Sequence, residues 1–246
     1  MKLLLNIIFI LLLFSKYSLS DSSVERKFII EGKFGILPSI QLMEINTKLN
    51  VKEENFDYIF DIKSKNIVKF INETNGRGTV NGKYLNNKYI PFKYEYSYKR
   101  KEKNKYVEII YKDKNVEKIT ITPKYDKSKL TPLTEEMLKG TIDPPTFFLS
   151  ILNFKNINNC QKTFKVFDGK RRYDVKFSKS NALSDTVIEC EARQIKIGGY
   201  KNKENDIFAA SDFIKIVYDK KNNNKFIRYE AKNGSINVLI EEIKIN

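Results

Sequence analysis

Apolar and polar side chains alternate along most of this chain. Phe56, Tyr58, Phe60 and Ile62 form one series, Phe92, Tyr94, Tyr96 and Tyr98 a second, and Val107, Ile109 and Tyr111 a third. A period of two lays one face of an extended strand on a core, whereas a helix repeats every 3.6 residues. Further strands are expected at 27–36, 40–50, 116–122, 186–197, 212–219, 225–231 and 235–245, with turns at Asn75-Gly76, Asn81-Gly82, Gly198-Gly199 and Asn233-Gly234. Such short connections imply antiparallel pairing. The expected fold is mainly β: a curved antiparallel sheet or barrel of about ten or more strands, with one or two short helices.

Helical signals are few. Ile67 to Asn72 reads as a short helix or a strand. Asp143-Pro144-Pro145 followed by Thr146 to Leu152 reads as a capped helix plugging one end of the sheet: Asp143 can accept backbone N–H groups and Pro144 suits the first turn. The stretch around 126–142 is expected to join an N-terminal and a C-terminal set of strands within one β-rich domain spanning 21–246.

Asp168-Gly169 sits between two strand patterns, Phe164 to Phe167 and Tyr173 to Phe177, and reads as a type I′ hairpin turn. In a two-residue register Phe167 pairs with Lys170 and Phe164 with Tyr173. Arg171 then shares a face with Phe164, Val166, Tyr173, Val175 and Phe177, while Arg172 lies opposite. Arg171, Arg172 and Tyr173 are the candidate ligand or rim residues, because an arginine on an apolar face needs an anion or a route to water. The structural alternative for Arg171 is a rim side chain paired with a carboxylate.

The N-terminus reads as an export signal. Lys2 precedes an apolar run from Leu3 to Phe14, and Lys16 and Ser18-Leu19-Ser20 follow it. The run falls short of the roughly 20 residues a spanning helix needs, so residues 1–20 are expected to be cleaved and the mature chain not to span the membrane. The alternative is an uncleaved anchor. The expected location is the periplasm, with an extracellular location as the alternative.

The net charge is +15, and removal of Lys2 and Lys16 leaves +13. Acids are interleaved with the bases, as in Lys52-Glu53-Glu54, so the charge points to an anionic membrane surface or polymer rather than to nucleic acid. Cys160 and Cys190 are the only cysteines, and export would place them where disulfides persist. Ile188, Cys190 and Ala192 share a strand face, and closing a loop of about 31 residues would contribute roughly 3–4 kcal/mol. Two buried free thiols are the rival reading.

The order Asp143-Pro144-Pro145, Cys160, Phe167-Asp168-Gly169-Lys170-Arg171-Arg172-Tyr173-Asp174, Cys190 and Gly198-Gly199-Tyr200 resembles the exported proteobacterial domain-of-unknown-function family 3108 (DUF3108). Gly32 with Phe34-Gly35, and the stretch from Gly82 to Pro91-Phe92, agree more loosely. The resemblance implies a bacterial periplasmic protein built on a curved antiparallel sheet or barrel, and carries no established activity.

Histidine is absent, which removes the usual Ser-His and Cys-His nucleophile pairs and His-rich zinc sites. No phosphate-cradling or dinucleotide glycine pattern occurs. No cofactor or metal is expected. The carboxylate pairs Glu189/Glu191 and Asp57/Asp61 share strand faces, and read as surface decoration. The chain is expected to be non-enzymatic, holding a lipid or other hydrophobic or amphipathic envelope component. An envelope scaffold that binds protein through a sheet edge is the second reading, and a His-free hydrolase of cell-wall polymer the third.

Overall fold

The computed structural model describes residues 21–36, 38–66, 68–69, 73–100, 103–155, 157–201, 213–233 and 236–245. The export segment and most of the Ile67–Asn72 stretch lie outside them. Thirteen strands form one antiparallel sheet. β1 (Ser22–Phe34), β2 (Ile40–Lys52), β3 (Asn55–Ser64), β4 (Thr74–Leu85), β5 (Lys88–Arg100), β6 (Lys103–Lys112) and β7 (Asn115–Thr122) come first. After the connection come β8 (Lys162–Phe167), β9 (Arg172–Ala182), β10 (Val187–Gly198), β11 (Phe213–Asp219), β12 (Lys225–Asn233) and β13 (Ile236–Ile243). The spatial order is β7-β6-β5-β4-β3-β2-β1-β13-β12-β11-β10-β9-β8, so β1 and β13 join the two sets through pairs such as Lys27–Ile243. β7 and β8 are the edges of a curved, unclosed sheet.

Tight turns set the registers. Asn86 and Asn87 both take positive φ, 51° and 60°, as do Asp113 and Lys114, at 51° and 65°. Positive φ at both central positions matches the twist of the flanking strands.

Two expectations are corrected here. Asn75-Gly76 and Asn81-Gly82 are not turns but lie inside β4, a strand the alternation does not reveal. A Cβ on Gly78 would come 2.2 Å from Phe60 Cζ, and one on Gly82 2.2 Å from the Ile90 carbonyl oxygen. These glycines leave room for rings and backbone from β3 and β5. Phe92 leaves the face of Tyr94 and is 43% exposed, because the register slips between Asn81–Lys93 and Gly82–Pro91. Pro91 has no N–H to give the ladder, and a bulge accommodates it.

The connection carries two short helices, α1 (Glu135–Leu138) and α2 (Pro144–Leu152). Asp143 caps α2, its Oδ1 accepting from Thr146 N at 2.8 Å and its Oδ2 from Thr146 Oγ1 at 2.9 Å. Rather than plugging one end, α2 fills the concavity. Leu149 packs into a cluster with Phe56, Tyr58, Val80, Tyr94 and Ile109. Ile151 and Leu152 pack into a second, with Phe28, Phe154, Phe177, Ile216 and the cysteines. Cys160 and Cys190 form a disulfide with Cα atoms 5.8 Å apart, and Ile188, Cys190 and Ala192 are all buried. No helix among the described residues is long and apolar enough to cross a membrane.

Candidate functional site

The β8–β9 hairpin adopts a register two residues longer than expected. Phe167 pairs with Arg172 and Phe164 with Val175. The cause is the Asp168 side chain: its Oδ1 accepts from Lys170 N at 2.9 Å and Arg171 N at 2.6 Å, which draws Asp168 to the corner. Asp168 N donates to the Arg171 carbonyl at 3.1 Å, leaving Gly169 (φ 93°) and Lys170 as the central pair. Positive φ at the first position alone is the pattern of a type II′ turn, not I′. Because the slip is by two, the apolar face survives: Phe164, Val166, Val175 and Phe177 are buried.

Arg172 is the larger correction. It lies on the opposite face, as expected, yet it is only 3% exposed, because the connection folds back over it. Its Nε donates to the Met137 carbonyl at 2.9 Å and its Nη2 meets Asp174 Oδ1 at 2.7 Å. Its Nη1 is buried without a hydrogen-bond partner. Arg172 therefore anchors the connection rather than standing exposed at a rim.

Arg171, Tyr173 and Asp168 come together at a cleft. The hairpin tip rests against β6 and the end of β7, so that a Cβ on Gly169 would lie 2.8 Å from Val107 Cγ1. Tyr125, just beyond β7, donates its hydroxyl to the Gly169 carbonyl at 3.4 Å. Between tip and sheet lies a cavity of about 600 Å³, lined by Tyr94, Tyr96, Tyr98, Tyr106, Tyr125 and Tyr173 together with Lys105, Lys124, Lys170 and Arg171. The Tyr96 and Tyr98 rings stack at 4.8 Å. Lys170 Nζ sits 5.8 Å from the centre of the Tyr125 ring. Asp168 is the one carboxylate of the lining, and Arg171 Nε donates to its Oδ2 at 2.8 Å. That pairing is the structural alternative weighed for Arg171, and it coexists with a place in the lining.

Burial, and behind it the charges of Asp143 and Asp168, raises the Tyr94 hydroxyl well above the ordinary tyrosine range. Burial, then Asp168, does the same at Tyr173. Both stay neutral, able to donate and accept hydrogen bonds but not poised as bases. The alternation of β5 reveals the tyrosines in the sequence. What places them beside the hairpin is the curl of the whole sheet, for which the sequence has no local signal.

The other carboxylates singled out are engaged elsewhere. Glu189 accepts from Lys215 Nζ at 2.7 Å and Glu191 from Asn181 Nδ2 at 2.7 Å. Asp57 bonds Asn81 Nδ2, and Asp61 lies 4.0 Å from Arg77 Nε. Among the described residues no three His, Cys, Asp or Glu side chains converge as a metal site would require.

The fold defines a class: a barrel-like protein made of one curved, unclosed antiparallel sheet around a short helix. The chain is similar in structure to a β-barrel-like protein of the domain of unknown function DUF1849 from Brucella abortus, with a TM-score of 0.50 and 12% identity over 89% of this chain and 95% of that one. At this identity the likeness is one of fold. No family model matches the chain, and no curated protein matches it.

Proposed function

We propose that this chain is a non-enzymatic envelope binding protein, exported by cleavage after Ser20 to the periplasm and akin to family 3108, whose ligand occupies the tyrosine-lined cleft. The observation that carries this reading is the composition of that cleft. Six tyrosines line it with four cations and a single carboxylate already held by Arg171. Aromatic walls suit a flat or chain-like apolar body, and lysine and arginine suit an anionic head. The filled concavity favours an amphipathic molecule held in this cleft over an apolar one enclosed in the barrel. The cleft's polar groups position and neutralise, and burial raises the hydroxyls of Tyr94, Tyr96, Tyr106, Tyr125 and Tyr173 away from reactivity.

Native mass spectrometry with solvent extraction, on residues 21–246 purified from the periplasm, tests the proposal. A reproducible extractable adduct is expected, and Arg171→Glu with Lys170→Glu should cut its occupancy at least tenfold. An apo mass for the unaltered protein under gentle desolvation, or full occupancy in the double variant, would overturn the reading.

A further inference from the structure

The seam where the β4–β5 turn faces the entry to β8 holds a second cleft, at the end away from the hairpin tip. Its volume is about 510 Å³. One wall is the β4–β5 turn, Asn86 and Asn87 leading into Lys88; the other is the entry to β8, Asn159 to Lys165. Four lysines line it: Lys88, Lys155, Lys162 and Lys165. No carboxylate is among the lining residues, and among the described residues none of the four lysines has an ion-pair partner. Lys27, Lys48, Lys65, Lys93 and Lys215, by contrast, each reach a Glu within 4 Å.

Lys162 is held in place, its Nζ 4.3 Å from the centre of the Phe164 ring and 5.5 Å from that of Phe154. Burial first, and then repulsion from Lys88 across the seam, lowers its affinity for a proton. Like charges from β5 and β8 thus converge on one space, and a bound anion would relieve their repulsion. Beside the lysines the lining holds amides and hydroxyls, among them Asn86, Asn87, Gln161 and Thr163, and the apolar side chains of Ile142, Phe154 and Phe164. The amides and hydroxyls match the hydroxyls of a sugar, and the rings offer its C–H faces an apolar wall.

We infer that this second cleft binds an anionic saccharide, a sugar carrying phosphate or carboxylate, with Lys88 and Lys162 clasping the charge from the two sides of the seam. Such a group could belong to a glycan or to the headgroup of a glycolipid. The inference is independent of the ligand in the tyrosine cleft.

Amide NMR titration of residues 21–246 with glucose 6-phosphate, inorganic phosphate and glucose tests it. Glucose 6-phosphate should shift the amides of Asn86–Lys88 and Gln161–Thr163 and bind more tightly than phosphate, with glucose silent. Lys88→Glu and Lys162→Glu should each weaken binding at least tenfold, while Lys176→Glu, on the exposed face of β9, and Arg171→Glu should leave it unchanged. Silent amides at both walls, phosphate binding as well as the sugar phosphate, or equal losses from Lys176→Glu would each overturn the inference. Glucose 6-phosphate attached to a long acyl chain separates the sources: a headgroup site should bind it as well as the free sugar, and a site for free glycans should not.

Discussion

At Asp143 two demands compete. Its carboxylate satisfies the first turn of α2, and it is wholly buried. Burial prevails over the hydrogen bonds from Thr146, raising its pKa from 3.8 to about 6. Because the folded value lies above the ordinary one, its protonated form contributes stability that is fully present below about pH 3.8 and is lost as the pH rises through about 6. Two units correspond to about 3 kcal/mol. An amide oxygen can cap the helix without charge, so Asp143→Asn should gain on the wild type by about that amount between pH 4 and pH 7, read from urea midpoints at the two pH values. An unchanged difference would mean that the ionised carboxylate is solvated in the fold. The cap itself is legible in the Asp-Pro-Pro sequence; its burial is not, since it depends on strands up to dozens of residues away closing around it. Arg172 shows the same limit. Its face follows from the alternation, but the Met137 carbonyl that covers it comes from the connection.

At the scale of elements, β4 is instructive. Twelve residues with three glycines lack the alternating apolar pattern of the other strands, and Asn-Gly pairs mimic turns. A missing side chain is visible in a sequence, while the ring that fills its place is not. Gly78→Ala should cost about 1–3 kcal/mol, as its methyl would meet both the Phe60 ring and, at 2.7 Å, the Glu95 carbonyl oxygen. Chemical denaturation measures it, and a neutral outcome would mean that Phe60 has free space to swing into. The mainly β class, the remaining strands, the capped helix and the cysteine pair were all legible, because each rests on local periodicity or on residue type. The hairpin was half legible: its faces came from parity, whereas its register depended on one carboxylate bonding two backbone amides.

At the scale of the whole molecule, the cleft and the lysine seam exist because the sheet curls until its edges approach without pairing. α2 lies within the curl, hydrogen-bonded to its surroundings through the Tyr218 hydroxyl, which donates to the Ile151 carbonyl at 3.0 Å. Residues 141–142 add to β8, Ile142 N donating to the Lys165 carbonyl at 2.9 Å. Neither site could be derived from one segment, because each takes one wall from the N-terminal set of strands and the other from the C-terminal set.

The pairing of β1 with β13 has a bearing on how the chain reaches this state. Read from β8 through β13 and then from β1 to β7, the sheet is an uninterrupted up-and-down meander. Among the described residues, the only strand pairing between segments so far apart in sequence is the one between β1 and β13. Bridging Ile243 to Ser22 with a flexible linker and opening the chain at Asp126–Lys127 would make every strand pairing local. Such a circular permutant should keep the same fold but refold faster, because the slow entropic step of bringing distant ends together is replaced by a tether. Stopped-flow refolding of the two forms compares them directly, and equal rates would place the barrier in the packing of α2 instead.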